Sequence, residues 1–159
     1  MRLLFSVLAL MLAVFGTAVA AAADRYQVNL TRKDRNLYKV DGQPLWVQTR
    51  YCYVYGYGKD AMLSQYDIVF LDDAEKCDVK RILKEMQPSA GAYKVSLSYE
   101  DDNLYSTMDG ILVRTSMCLS LALGEDAVLR LNEYGGGTVI FLDGDDRCNL
   151  EGVFSEARL

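Results

Sequence analysis

The run Tyr26-Gln-Val-Asn-Leu-Thr-Arg-Lys-Asp-Arg-Asn-Leu-Tyr38 returns as Tyr93-Lys-Val-Ser-Leu-Ser-Tyr-Glu-Asp-Asp-Asn-Leu-Tyr105, and this repetition constrains the chain more than any other feature. The match continues from Leu45–Tyr66 onto Ile111–Asn132, and from Ile68–Cys77 onto Val139–Cys148. Across these stretches 18 of 45 ungapped pairs are identical, far above chance. Two length changes suffice: the second copy loses one residue near Asp109-Gly110 and gains five around Gly135-Gly136-Gly137. Two units therefore share one folding rule, and each has to find much of its core in the other, because units of roughly sixty residues bury little apolar surface alone. Pro88-Ser89-Ala90-Gly91 is the natural joint between residues 24–90 and residues 91–159.

Four cysteines, Cys52, Cys77, Cys118 and Cys148, fall at matching places in the two copies. No two are spaced as C-x-x-C, so redox and zinc-knuckle readings are poor, and structural disulfides are expected. The simplest pairing for a repeated unit is one bridge per copy, Cys52–Cys77 and Cys118–Cys148, although bridges between the copies preserve the repetition as well. Closing loops of this length constrains the unfolded chain by about 3–4 kcal/mol per bridge on the entropy model.

The N-terminus fits an oxidising destination. Arg2 is followed by an apolar run from Leu3 to Phe15 and by small residues that offer A-x-A cleavage sites, so residues 1–23 read as a secretory signal. Export to the periplasm or the extracellular space is expected. The run is shorter than the roughly 20 apolar residues that span a bilayer, and no later segment is long and apolar enough.

Period-2 alternation dominates the rest. Tyr26, Val28 and Leu30, and likewise Tyr93, Val95, Leu97 and Tyr99, alternate with polar residues. Val113 to Leu123 reads as one long strand, Gly124-Glu125-Asp126 as a turn, Ala127–Leu131 as the returning strand and Thr138–Leu142 as a short buried strand. After Cys77 the spacing of Val79, Ile82, Leu83 and Met86 predicts a short helix capped by Asp78; Gly152 weakens the same expectation in the second copy. The fold class that follows is mainly β, with α+β admitted: two tandem, disulfide-bonded units of antiparallel strands, with room for one short helix in each, packed as a pseudo-twofold pair in one joint domain.

Positions shared by both copies are what the unit needs twice; positions that differ are where a single functional surface belongs. The clearest difference is aromatic. Tyr51, Tyr53, Tyr55 and Tyr57 stand where the second copy has Met117, Leu119, Leu121 and Leu123, and Trp46 lies beside them on the opposite face. Tyrosine combines a broad apolar face with a hydroxyl that can stay wet, which suits a binding surface. Its high strand propensity gives the plainer alternative of a sheet face half covered by the other copy.

Charge is the second difference. Residues 24–90 carry 11 basic and 10 acidic side chains, whereas residues 91–159 carry 5 and 12. Lys80, Arg81 and Lys84 lack basic counterparts, and Glu125, Glu133, Asp145 and Asp146 are acids added in the second copy. A net charge of −5 gives no electrostatic reason to bind nucleic acid.

The absence of histidine removes Ser-His-Asp and Cys-His catalysis and most zinc sites. Asp143-Gly144-Asp145-Asp146 lacks EF-hand spacing and reads as a turn, and the three glycines lack the helix and lysine of a phosphate loop. No cofactor or metal is implied. The expected function is an exported, non-enzymatic protein that binds another protein or an envelope component, of the inhibitor or immunity kind. The alternatives are a small carboxylate-dependent hydrolase using Asp60/Asp126 or Asp72/Asp143, and a structural envelope protein.

Overall fold

The computed structural model describes residues 24–144 and 146–159 and contains twelve strands. They are β1 (Tyr26–Asp34), β2 (Leu37–Val40), β3 (Leu45–Arg50), β4 (Lys59–Leu63), β5 (Asp67–Phe70), β6 (Glu75–Met86), β7 (Gly91–Tyr99), β8 (Leu104–Thr107), β9 (Leu112–Ser116), β10 (Leu123–Leu131), β11 (Gly137–Phe141) and β12 (Arg147–Ala157). The expected secretory signal, residues 1–23, lies outside the described residues. Every strand pairing is antiparallel. Strands β6-β3-β2-β1-β4-β5 are neighbours in that order, and β5 returns to β6, so the six close into a barrel. Strands β12-β9-β8-β7-β10-β11 are also consecutive neighbours, with β11 returning to β12. Closure removes the unpaired edges that a flat sheet of this length would expose.

The two closed sets meet where β6 pairs with β12, from Ile82↔Ala157 to Met86↔Val153. Three apolar clusters result. One, around Leu30, Tyr38, Val47, Ile68 and Phe70, fills the first barrel. A second, around Leu97, Tyr105, Val113, Val139 and Phe141, belongs to the second set of strands. The third lies between the two and consists of Leu37, Trp46, Leu83, Leu104, Leu112 and Phe154. Trp46 and Phe154 meet edge to face with ring centroids 5.3 Å apart, a geometry favoured by the ring quadrupoles.

Polar contacts border this third cluster. Lys80 reaches Asp101 at 2.9 Å, Arg81 reaches Glu100 at 2.9 Å, and Asn103 donates to Asp34 at 3.2 Å. Gln48 donates to Asp101, and Asn36 donates to Asp102 at 3.3 Å.

No helix occurs among the described residues, which corrects the helix expected after Cys77 and its weaker counterpart. The cause is a β-bulge. In β6 Gln48 pairs with Arg81 but Thr49 pairs with Val79, so Lys80 has no partner across the ladder. One inserted residue shifts the period-2 phase, and Val79 and Ile82 then face the same core three residues apart. Val79 packs on the first cluster with Ile82, while Leu83 turns to the cluster between the barrels. A strand buried on both faces around a bulge thus reproduces helical spacing. β12 repeats the device: Leu150 pairs with Thr115 and Gly152 with Arg114, leaving Glu151 unpaired, and Val153 and Phe154 enter different clusters.

The bridges are Cys52–Cys77 and Cys118–Cys148, as the simplest repeat pairing predicts, closing sequence separations of 25 and 30 residues. Both carry the chain that leaves β3 or β9 onto the start of β6 or β12. The expected turn at Gly124-Glu125-Asp126 lies instead inside β10, as an irregularity between Leu123 and Glu125. Gly58 and Gly124, identical in the two copies, have φ of 61° and 79°, a region where a side chain is strained.

Two measurements probe this architecture. Phe154→Ala opens a cavity between the barrels and is expected to cost about 3–5 kcal/mol. Trp46, the sole tryptophan, reports the loss, with its native emission shifting to the red as water reaches the cluster.

The second concerns Asp67, the first residue of β5. It accepts from Ser64 Oγ at 2.7 Å and lies 3.0 Å from both Arg25 and Lys76. The Ser64 hydrogen bond, then those cations, hold its carboxyl below the ordinary range against the opposing effect of burial. A depressed folded pKa gives stabilisation that is complete above the unfolded value of about 4 and lost as pH falls through the folded pKa. Asp67→Asn is therefore expected to lower urea stability at pH 7 and to narrow the gap from wild type at pH 3.

Candidate functional site

The tyrosines sit between β3 and β4, on a segment that has to travel from one side of the first barrel to the other. β3 neighbours β6 and β2, whereas β4 neighbours β1 and β5. The long strand expected here therefore ends at Arg50, and residues 51–58 belong to no ladder. Tyr51 adopts φ of 51°, and Met117, its counterpart after β9, adopts 55°. This left-handed residue resets the alternation. Val47 and Thr49 are buried, but beyond Tyr51 it is Cys52 and Val54 that point inward. Tyr51, Tyr53, Tyr55 and Tyr57 are left 65–88% exposed on the outside.

The segment stays extended because its inward side is clamped at each step. Cys52 is bonded to Cys77, and its backbone N–H donates to Asn36 Oδ1 at 3.3 Å. The Tyr38 hydroxyl, in the barrel core, donates to the Val54 carbonyl at 2.8 Å. The Arg32 N–H donates to the Gly56 carbonyl at 3.1 Å, and the Gly58 N–H donates to Thr31 Oγ1 at 3.1 Å. Burial pushes the Tyr38 hydroxyl pKa up to about 12, so it remains protonated as the donor this contact needs.

The other barrel holds its own segment by the same means. The Tyr105 hydroxyl donates to the Ser120 carbonyl at 2.6 Å and the Tyr99 N–H to the Ala122 carbonyl at 2.7 Å. Tyr105 is likewise raised to about 12, chiefly by burial.

Trp46 is not part of this surface. It is buried in β3 within the cluster between the barrels, with Arg114 5.2 Å from its ring and its indole N–H donating to Glu85 at 3.4 Å. Its place opposite the tyrosines along the strand was legible, but the reset at Tyr51 separates the two faces.

The sequence also missed a second ridge. Met117, Leu119, Leu121 and Leu123 are 73–94% exposed, whereas one long strand from Val113 to Leu123 would put them on the same face as the buried Val113 and Thr115; β9 ends instead at Ser116. The signal that could have placed them is the bridged cysteine. Cys118, with Ser120 and Ala122, supplies small side chains at the inward positions, and a cysteine tied to the buried Cys148 marks the inner side.

An open cleft of about 900 Å³ borders the tyrosine ridge, lined by Arg32, Lys33, Asp34, Arg35, Tyr53, Tyr55 and Gly56. The Arg32 guanidinium lies 4.2 Å from the centre of the Tyr55 ring, and Lys33 Nζ lies 5.8 Å from that of Tyr57. Cations over aromatic faces are mutually attractive. Arg32, Lys33 and Arg35 fall within four consecutive residues, but nothing in the sequence shows that Tyr53 and Tyr55 fold back beside them.

The aspartates considered for hydrolysis are separated by the architecture. Asp60 lies on β4 and accepts from Asn29 at 2.9 Å; Asp126 lies on β10, paired with Lys94 at 2.9 Å. Both are in strands, Asp126 instead of at the expected Gly124-Glu125-Asp126 turn, and β4 and β10 share no pairing. Asp72 and Asp143 are exposed turn residues, one in each half. The second-copy acids Glu125, Glu133 and Asp146 are dispersed over β10 and the two loops that follow, and Asp145 lies outside the described residues. No family model, curated protein or solved structure matches the chain.

The clamp itself can be tested. Tyr38→Phe removes the donor and leaves the Val54 carbonyl without a partner, at an expected cost of about 1–3 kcal/mol. Hydrogen exchange at residues 52–58 should accelerate more than exchange at 118–124, and Tyr105→Phe should reverse that order.

Proposed function

We propose that this is an exported, non-enzymatic binding protein that recognises another protein through the ridge of Tyr51, Tyr53, Tyr55 and Tyr57. One observation carries the reading: four large aromatic side chains are held largely in solvent on a segment anchored at every inward position. Soluble proteins rarely leave contiguous apolar surface open without use. Tyrosine is also among the residues that concentrate binding energy at interfaces. A role of the inhibitor or immunity kind, in the periplasm or outside the cell, is compatible with the two disulfides and the small rigid scaffold.

We also read the two barrels as products of one duplication packed about a local twofold axis. The register of the seam supports this. Ile82 and Val153 are equivalent, as are Met86 and Ala157, and the observed pairs Ile82↔Ala157 and Met86↔Val153 exchange under such an axis, leaving Lys84↔Ser155 upon it.

The test compares the wild type with Tyr53→Ala/Tyr55→Ala as immobilised baits in an envelope extract. A partner held by the wild type and lost by the variant, with thermal unfolding unchanged, is the expected outcome. Capture of nothing by the wild type, or equal capture by both baits, would sink the tyrosine-ridge reading.

A further inference from the structure

We infer that the cleft beside the tyrosine ridge takes an extended, acidic peptide segment of the partner, a conclusion that builds on the binding role proposed above. The first ground is unused positive charge. Arg32, Lys33 and Arg35 border the cleft, and none has a carboxylate partner among the described residues. The one acid of the group, Asp34, is committed elsewhere, accepting from Asn103 at 3.2 Å with Arg114 at 3.9 Å.

The second ground is preorganisation. Arg32 spends its Nε on the Asp34 carbonyl at 3.0 Å and its Nη2 on the Arg35 carbonyl at 2.6 Å, while its ring-plane neighbour is Tyr55. Its Nη1 is shielded from solvent and has no partner. With two donors on backbone carbonyls and Tyr55 across its plane, Arg32 gives the cleft wall a fixed positive charge, and little rotamer freedom is left to lose when a carboxylate comes near.

The third ground is that the fold does not require these residues. At the matching positions of the second copy Arg32, Lys33 and Arg35 become Tyr99, Glu100 and Asp102, and Tyr53 and Tyr55 become Leu119 and Leu121. There the acids serve the contact between the barrels: Glu100 meets Arg81 and Asp102 meets Asn36. The cationic cleft is therefore specific to one half, in a chain that is acidic as a whole.

Geometry selects a peptide over other anions. Alternate residues of an extended chain recur at roughly 6.6 Å, so the outward tyrosines repeat at the same step as the side chains on one face of a bound extended strand. A segment alternating carboxylates with apolar residues can lay the apolar side chains between the rings and the carboxylates against Arg32, Lys33 and Arg35.

The probe is a fluorescein-labelled nonapeptide alternating Glu and Leu, titrated with the full mature chain and read by anisotropy. Saturable binding is expected, with no binding of the peptide in which Lys replaces Glu. Lys33→Glu/Arg35→Asp reverses the charge of two exposed side chains; with thermal unfolding unchanged from wild type, it should weaken binding at least tenfold. Arg130→Glu, an equal reversal per residue on the exposed face of β10, should leave it unchanged.

Equal binding of the Lys peptide, indifference to the Lys33/Arg35 exchange, or equally tight binding of a sulfated polysaccharide without apolar side chains would each overturn the inference. The broader reading is separable. If Tyr53→Ala/Tyr55→Ala loses a captured partner while the acidic peptide fails to bind, the tyrosine ridge stands and the acidic-segment inference falls.

Discussion

Each half of this molecule depends on a single long strand that has to satisfy three neighbours at once. β6 bonds to β5 at its start, to β3 through its middle and to β12 at its end, and β12 does the same with β11, β9 and β6. The change of neighbour along one strand is what allows six strands to close and two such sets to join without a free edge. The bulges at Lys80 and Glu151 make this possible, since a flat strand could not turn its apolar face from one core to the next. They also aim charges: Lys80 meets Asp101, and Glu151 meets Arg114 at 2.9 Å.

The same two strands anchor the segments that leave β3 and β9. Cys77 and Cys148 lie near their starts, so each disulfide ties an outward-facing ridge to the strand that closes its barrel. Tyr38 and Tyr105 add a second tie from inside, and the exposed side chains follow from it. Inward positions accept only small or medium residues such as Cys52, Val54, Ser120 and Ala122, which leaves the outward positions free to become tyrosine in one half and aliphatic in the other. Identity at Tyr38/Tyr105, Cys52/Cys118 and Gly58/Gly124, small size at the other inward positions and divergence at the outward ones are results of one geometry.

Much of the strand content was legible because alternation survives wherever one face is buried, as in Tyr26–Leu30 and Ala127–Leu131. The bridge pairing was legible from the repeated cysteines. Two kinds of position resisted reading, and both involve a change of phase. At Lys80 and Glu151 an inserted residue produced the spacing of a helix. At Tyr51 and Met117 a left-handed backbone exchanges the inner and outer faces, so the single strand read through Val113–Leu123 breaks after Ser116 and Trp46 parts from the tyrosines it adjoins in sequence. Periodicity carries no mark of a single residue that slips or reverses it. The basic cleft was hidden for a different reason: Arg32, Lys33 and Arg35 are adjacent in sequence, but only the fold brings Tyr53 and Tyr55 beside them and draws Asp34 toward Arg114 and Asn103.

A ridge fastened covalently at Cys52 and by hydrogen bonds at Asn36, Tyr38, Arg32 and Thr31 has little disorder left to surrender. Ordering a loop upon contact ordinarily consumes a share of the interaction energy. Here that cost falls on folding, before any encounter, so under the binding role proposed above the tyrosines would meet a partner as a fixed surface rather than as a loop that must be caught in the right shape. Oxidation of one pair of thiols thus sets both how firmly this protein holds together and how rigidly it presents its outward ridge.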